Sequence, residues 1–242
     1  LSGYGQNGPY AQVSGHDVTY MALTGILSQT GHPLTGPSMI NPPLADHSGA
    51  LMAVNSILAA VINRFKNNEG AYIDVSLFES ALSLNYLNLT QAIHGQNAAC
   101  GEGELSGGSA AYYHIYETQD ERFIALAPIE FKFWKNFCTA VQHEEWIERH
   151  QDVQPQTDLI KTLQDLFKAQ TLSYWKDLLI TAECCFEVIY NLDEVFDHPQ
   201  VIARKIAFES EIRYPAWIDN LPPKTRTPMN ETSIEEVLKT LA

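Results

Sequence analysis

One stretch limits the folds open to this chain more than any other. From Asp46 to Phe65 the sequence reads as a single long helix, with Leu51, Val54, Leu58 and Val61 recurring at helical spacing among abundant Ala and Leu. A loop rich in breakers precedes it over 30–43, where Gly31, Pro33, Gly36, Pro37, Pro42 and Pro43 cluster, and Asn67-Asn-Glu-Gly70 ends it. Tyr72-Ile-Asp-Val-Ser76 then alternates with the period of a strand, and Leu77 to Ile93 returns to a helical pattern. The most apolar part of the long helix, Ala50 to Ile62, is broken by Asn55 and Ser56 and is short for a bilayer.

Residues 1–16 read as a loop, and Asp17 as the N-cap of a helix running to Thr24. Five glycines over 95–109 mark a boundary or a loop. Beyond it, Tyr112 to Glu117 and Arg122 to Ala127 read as two strands around Gln119-Asp-Glu. Helices are expected over Glu130–Val141, Leu159–Gln170 and Ser173–Ala182. A further short helix is expected over 193–205, then a proline-bearing connector over 215–228 and a last helix from Ser233 to Leu241. The pattern is helix-rich α/β.

The 242 residues suffice for one large or two small cores. Fifteen Lys and Arg against 29 Asp and Glu give a formal charge of −14, which argues against general nucleic-acid binding or peripheral membrane attachment. The four cysteines have no C-x-x-C spacing, and the vicinal Cys184 and Cys185 are poorly suited to a structural bridge; reduced thiols in a cytoplasmic protein are the expectation. Leu1 begins in what reads as mid-passage, so an upstream N-terminal part is expected.

Gly3-Tyr-Gly5-Gln-Asn-Gly8 matches the spacing of a dinucleotide fingerprint. Pro9 follows it, however, and no acidic residue lies between Asp17 and Asp46, so a glycine turn is the better account. The sequence shows no metal-ligand cluster, no G-x-S-x-G elbow and no phosphate loop, so no metal is expected. More informative are His16 with Asp17 and Asp46 with His47, each at a loop-to-helix junction. The partial positive charge there favours a carboxylate and a neutral imidazole. Composition alone leaves both aspartates as helix caps and His16 as an ordinary loop histidine.

The segments Leu1-SGYGQNGPY, Ser14-GHDVTYMALTG, Pro42-PLADHSGALMA and Glu69-GAYIDVSLFESAL resemble the CaiB/BaiF family, the class III CoA-transferases and their racemase relatives. Asn191-LDEVFDHPQVIARK and Ile234-EEVLKTL agree. Gly15-His16-Asp17 resembles the pattern of the α-methylacyl-CoA racemase branch. The resemblance implies the family's α/β fold: a partial Rossmann-like large domain with connector (1–107), a small α+β domain (108–190), and a return connector with a C-terminal helix (191–242), assembled as an interlocked homodimer. It implies an acyl-CoA substrate, with coenzyme A entering only as part of the thioester and no separate cofactor.

By the same resemblance, His16 and Asp46 are an acid–base pair for epimerising 2-methylacyl-CoA thioesters, Glu130 orients His16, and Asp17 and Tyr113 lie on the substrate side. In the transferase alternative Asp46 is the nucleophile. A third alternative is an inactive fragment or a scaffold subunit of a split enzyme. Inverting a carbon next to a thioester needs proton-transfer groups on opposite faces and donors for the enolate oxygen; the N–H groups at the start of the Asp46 helix are the expected donors. Ala110, Phe131 and Val188 stand where family members usually carry proline, and His47 where an uncharged residue is usual.

Overall fold

The computed structural model describes residues 1–31, 36–95, 105–208, 211–224 and 239, and these divide into two compact units, 1–188 and 189–242. In the first unit α1 (Asp17–Leu23), α2 (Leu44–Asn67) and α3 (Leu77–Leu84) pack together, and α4 (Tyr86–Ile93) follows. Tyr20, Met21, Ala45 and Ala81 are buried between them, with Tyr4, Leu44, Leu77 and Phe78 closing the edges. Helix packing this close needs small residues. A Cβ on Gly49 of α2 would collide with Leu77 of α3.

The expected single helix over 77–93 is interrupted at Asn85. Its buried side chain donates to the carbonyl of Thr24 at the end of α1 (3.0 Å), and satisfying that bond sets the break between α3 and α4. Tyr72–Ser76 runs extended but among the described residues forms one parallel bridge, from Ser76 to Ser2. A strand needs a neighbour to complete its ladder, and Ser2 supplies one residue of it.

The long helix runs further than expected, over 24 residues. By length and composition alone it meets the dimensions of a membrane span, contrary to the reading of its shorter apolar window. Its first turns, at Ala45, Ser48 and Gly49, are buried in protein. Leu51, Val54, Leu58 and Val61 are 65%, 54%, 56% and 40% exposed. Among the described residues, α1 and α3 are the principal helices packed on α2, and they leave its outer face open.

The second core of this unit is built on a three-stranded antiparallel sheet, β1 (His114–Glu117), β2 (Phe123–Leu126) and β3 (Phe186–Val188), with β2 central. Register pairs His114 with Leu126 and Ile124 with Val188. Helices α5 (Phe131–Ala140), α6 (Thr157–Lys168) and α7 (Leu172–Leu179) contribute Trp134, Phe137, Leu159, Leu163, Phe167 and Trp175 to one buried cluster around Tyr116. The Tyr116 and Phe167 rings stack at 4.9 Å. Each buried polar tip is answered: Tyr116 donates to Ala111 O (2.7 Å), Trp134 to Trp146 O (3.0 Å) and Trp175 to Phe167 O (2.9 Å). Gln156, also buried, accepts from Ala111 N–H and donates to Arg149 and Asp152 carbonyls, fixing the segment that leads into β1.

In the second unit a 3-10 turn (Glu194–Asp197) leads into α8 (Pro199–Ala203), whose proline opens the helix. A short hairpin follows, β4 (Ala207–Phe208) with β5 (Glu211–Ile212), and the Arg204 guanidinium lies 4.3 Å from the Trp217 ring centroid. The expected connector is described to residue 224, where Ile218 and Leu221 form an isolated bridge. The expected last helix lies outside the described residues, save Lys239.

Candidate active site

Asp17 is the residue that joins the two junctions. It was expected to cap its own helix, but His16 takes the N-cap position of α1. The Asp17 carboxylate reaches across to α2, where one oxygen accepts from the N–H of Ala45 (2.6 Å) and of Asp46 (3.2 Å). Pro43 precedes this helix and supplies no side-chain cap, so a carboxylate from α1 satisfies donors that would otherwise be orphaned. This ties the backbone of Asp46 to the residue next to His16. It also corrects one expectation: the Ala45 and Asp46 N–H groups are bonded to Asp17 and are not free for an enolate. Of the first turn, the Leu44 N–H has no partner among the described residues.

The loop carrying His16 is fixed on several sides. Thr19 accepts from the His16 N–H (3.0 Å) and donates to its carbonyl (2.8 Å). Tyr20, buried one turn into α1, donates its hydroxyl to the Gly15 carbonyl (2.7 Å). A Cβ at Gly15 would fall 2.6 Å from the Tyr20 ring and 2.8 Å from Thr19 Oγ1, so only glycine fits before His16. Tyr4 packs edge-on against Tyr20 (5.0 Å) and Tyr10 (5.1 Å), which locks the Gly3–Pro9 segment to α1. That segment is a set of turns with no helix opening from it, as the glycine-turn reading expected.

Burial, then the Tyr4 phenol and the Asp46 carboxylate, push the Tyr20 hydroxyl above its ordinary range. His16 and Asp46 are both exposed at this junction. Sequence reasoning missed Thr19 and Tyr20; their i+3 and i+4 spacing from His16 on α1 was the available signal.

Glu130 is placed differently. It is the N-cap residue of α5, exposed, with Lys132 and Cys185 as charged or titratable neighbours. No hydrogen bond or ion pair joins it to His16 among the described residues. Tyr113 is half-buried just before β1. Among the described residues no group of His, Cys, Asp and Glu is arranged to hold a metal ion.

Comparison with known proteins shows the family. The chain is 29% identical to human alpha-methylacyl-CoA racemase over 201 residues, which is 82% of this chain and 52% of that protein. It is 28% identical to human succinyl-CoA:glutarate CoA-transferase over 218 residues, 87% of this chain and 49% of that protein. The chain thus spans about half the length of these curated relatives. A crystal structure of a CaiB/BaiF family protein from Brucella suis superposes with a TM-score of 0.76 at 22% identity, covering 100% of this chain and 66% of that one. The model of CoA-transferase family III matches residues 1–230, and the chain belongs to that family.

Proposed function

We propose that the complete polypeptide carrying this chain is an acyl-CoA racemase that epimerises 2-methylacyl-CoA thioesters, with His16 and Asp46 as its acid–base pair. The observation that carries this reading is the Asp17 bridge, which ties the backbone of the one candidate to the neighbour of the other. The likeness to alpha-methylacyl-CoA racemase over 201 residues supports it.

In each turnover one member of the pair starts deprotonated and the other protonated. The first breaks the α-carbon–hydrogen bond and takes the proton, and the electron pair moves onto the thioester oxygen as an enolate. The second returns a proton to the opposite face, and the pair is left with its protonation exchanged. The Leu44 N–H, which Asp17 leaves free, serves the enolate oxygen. Glu130 orients the His16 ring. Among the described residues no hydrogen bond or ion pair joins the two within the chain, and we assign the pairing to a second copy in an interlocked dimer.

The family also contains transferases, which use a carboxylate as nucleophile through an acyl anhydride and an enzyme-bound CoA thioester. Intact-mass analysis after incubation with acyl-CoA separates the two. A racemase is expected to keep its unmodified mass. A CoA adduct that maps to Asp46 and disappears in Asp46→Asn would replace this proposal with acyl transfer.

A further inference from the structure

The Tyr4 ring is wedged against the His16 loop from the N-terminal segment. Its centroid stands edge-on to Tyr20 at 5.0 Å and to Tyr10 at 5.1 Å, with Phe78 at 6.1 Å. The backbone on either side of it is pinned. The Gly3 carbonyl accepts from the Phe78 N–H (2.9 Å) and from the Ser76 hydroxyl (3.2 Å), and the Gly5 N–H donates to Ser2 Oγ (3.1 Å). Gly5 takes φ +90° to make that turn, which an L side chain rarely adopts. A ring held in this way presents its hydroxyl in one place.

That place is beside Gly15. The Tyr4 hydroxyl oxygen lies 3.1 Å from where a Cβ on Gly15 would stand, and Gly15 immediately precedes His16. Tyr4 also packs on the buried cluster that Leu44 closes, and Leu44 carries the N–H that the Asp17 bridge leaves free. Tyr20 commits its hydroxyl to the Gly15 carbonyl, whereas the Tyr4 hydroxyl has no hydrogen bond among the described residues. The Tyr4 side chain is half-buried, so this donor is fixed at the junction and open to an incoming group. Its packing does not need the oxygen. The edge-on contacts with Tyr10 and Tyr20 are made by the ring, and a phenylalanine ring makes them as well.

We propose that Tyr4 is a further catalytic residue, its O–H donating a hydrogen bond to the thioester oxygen as that oxygen becomes an enolate. The inference rests on the racemase reading above and adds a second donor to the Leu44 N–H. When the base takes the α-proton, the electron pair of the broken carbon–hydrogen bond moves onto the oxygen. The phenol keeps its own proton and bonds to the new charge. A preorganised donor of this kind stabilises a charge that both enantiomers develop on the way to one shared enolate. The bases differ by face and the enolate does not, so the signature of Tyr4 is a loss without handedness.

The test is Tyr4→Phe in the complete polypeptide. Exchange of the α-proton in D₂O should fall in kcat by about 10²-fold, equally for both enantiomers of a 2-methylacyl-CoA and with KM little changed, the usual effect of removing one such donor. The thermal midpoint should stay at the parent value, because the lost oxygen has no partner among the described residues. With 2-methylacetoacetyl-CoA, a thioester that enolises readily, the ultraviolet absorption of the bound enolate should appear at higher pH in the variant than in the parent. The proposal is overturned if exchange matches the parent, or if the loss favours one enantiomer as His16→Ala is expected to do. A thermal midpoint that falls with the rate would overturn it as well, making Tyr4 a support of the loop. A parent that exchanges no α-proton refutes the racemase reading; the role of Tyr4 then stands if Tyr4→Phe still shifts the enolate titration, and falls if it does not.

Discussion

His16→Ala and Asp46→Asn are expected to impair opposite enantiomers. If each residue serves one face of the α-carbon, single-turnover deuterium wash-in from D₂O should fall most for the (2R) thioester in one variant and most for the (2S) thioester in the other. Both variants should lose net epimerisation, by roughly 10²–10⁴ in rate, the usual effect of removing a positioned acid or base. Glu130→Gln should share the bias of His16→Ala at smaller magnitude, because it disturbs the ring's orientation and leaves the base in place. Chiral chromatography of the thioester with mass detection of deuterium reads both quantities. Equal loss for both enantiomers in both variants would show the residues acting as a unit, or only as supports of the junction.

Asp17→Ala should damage fold and activity together. It strips the acceptor from the N–H of Ala45, which is fully buried, and from that of Asp46. Hydrogen bonds to a charged group contribute roughly 1.5–3 kcal/mol, so the thermal midpoint should drop clearly. Exchange of both enantiomers should fall on the order of 10²-fold, the effect of misplacing a reacting group by about 1 Å. Asp17→Asn keeps an oxygen of the same shape and should be milder in both. A substrate-contact role would give another pattern, with KM raised and the thermal midpoint unchanged.

The helical periods, the first two strands and the glycine turns were legible in the sequence because they are local. What was not legible depends on contacts between distant residues. Asp17 looks like a cap for the helix it begins, and nothing near it in sequence shows that its carboxylate serves a backbone 28 residues away. Asn85 sits inside a continuous helical pattern and breaks it for the sake of a carbonyl 61 residues upstream. β3 has three residues, too few for a period. Tyr72–Ser76 has the alternation of a strand and one bridging residue beside it. For the proposed site, His16 and Asp46 were candidates from resemblance and the chemistry of helix starts. The His114–Gly108 pair emerges only when a ring and a carbonyl are seen to meet.

In a racemase of this kind, proton transfer at the α-carbon needs no second acid. The most direct measurement incubates the complete polypeptide with one enantiomer of a 2-methylacyl-CoA in D₂O, with no free carboxylic acid present. The thioester is then followed by mass and by chirality. The account predicts that one deuterium enters the α-position as the other enantiomer accumulates toward an equal mixture. Thioester that stays undeuterated and single-handed until an acceptor acid is added, and then passes its CoA to that acid, would contradict it.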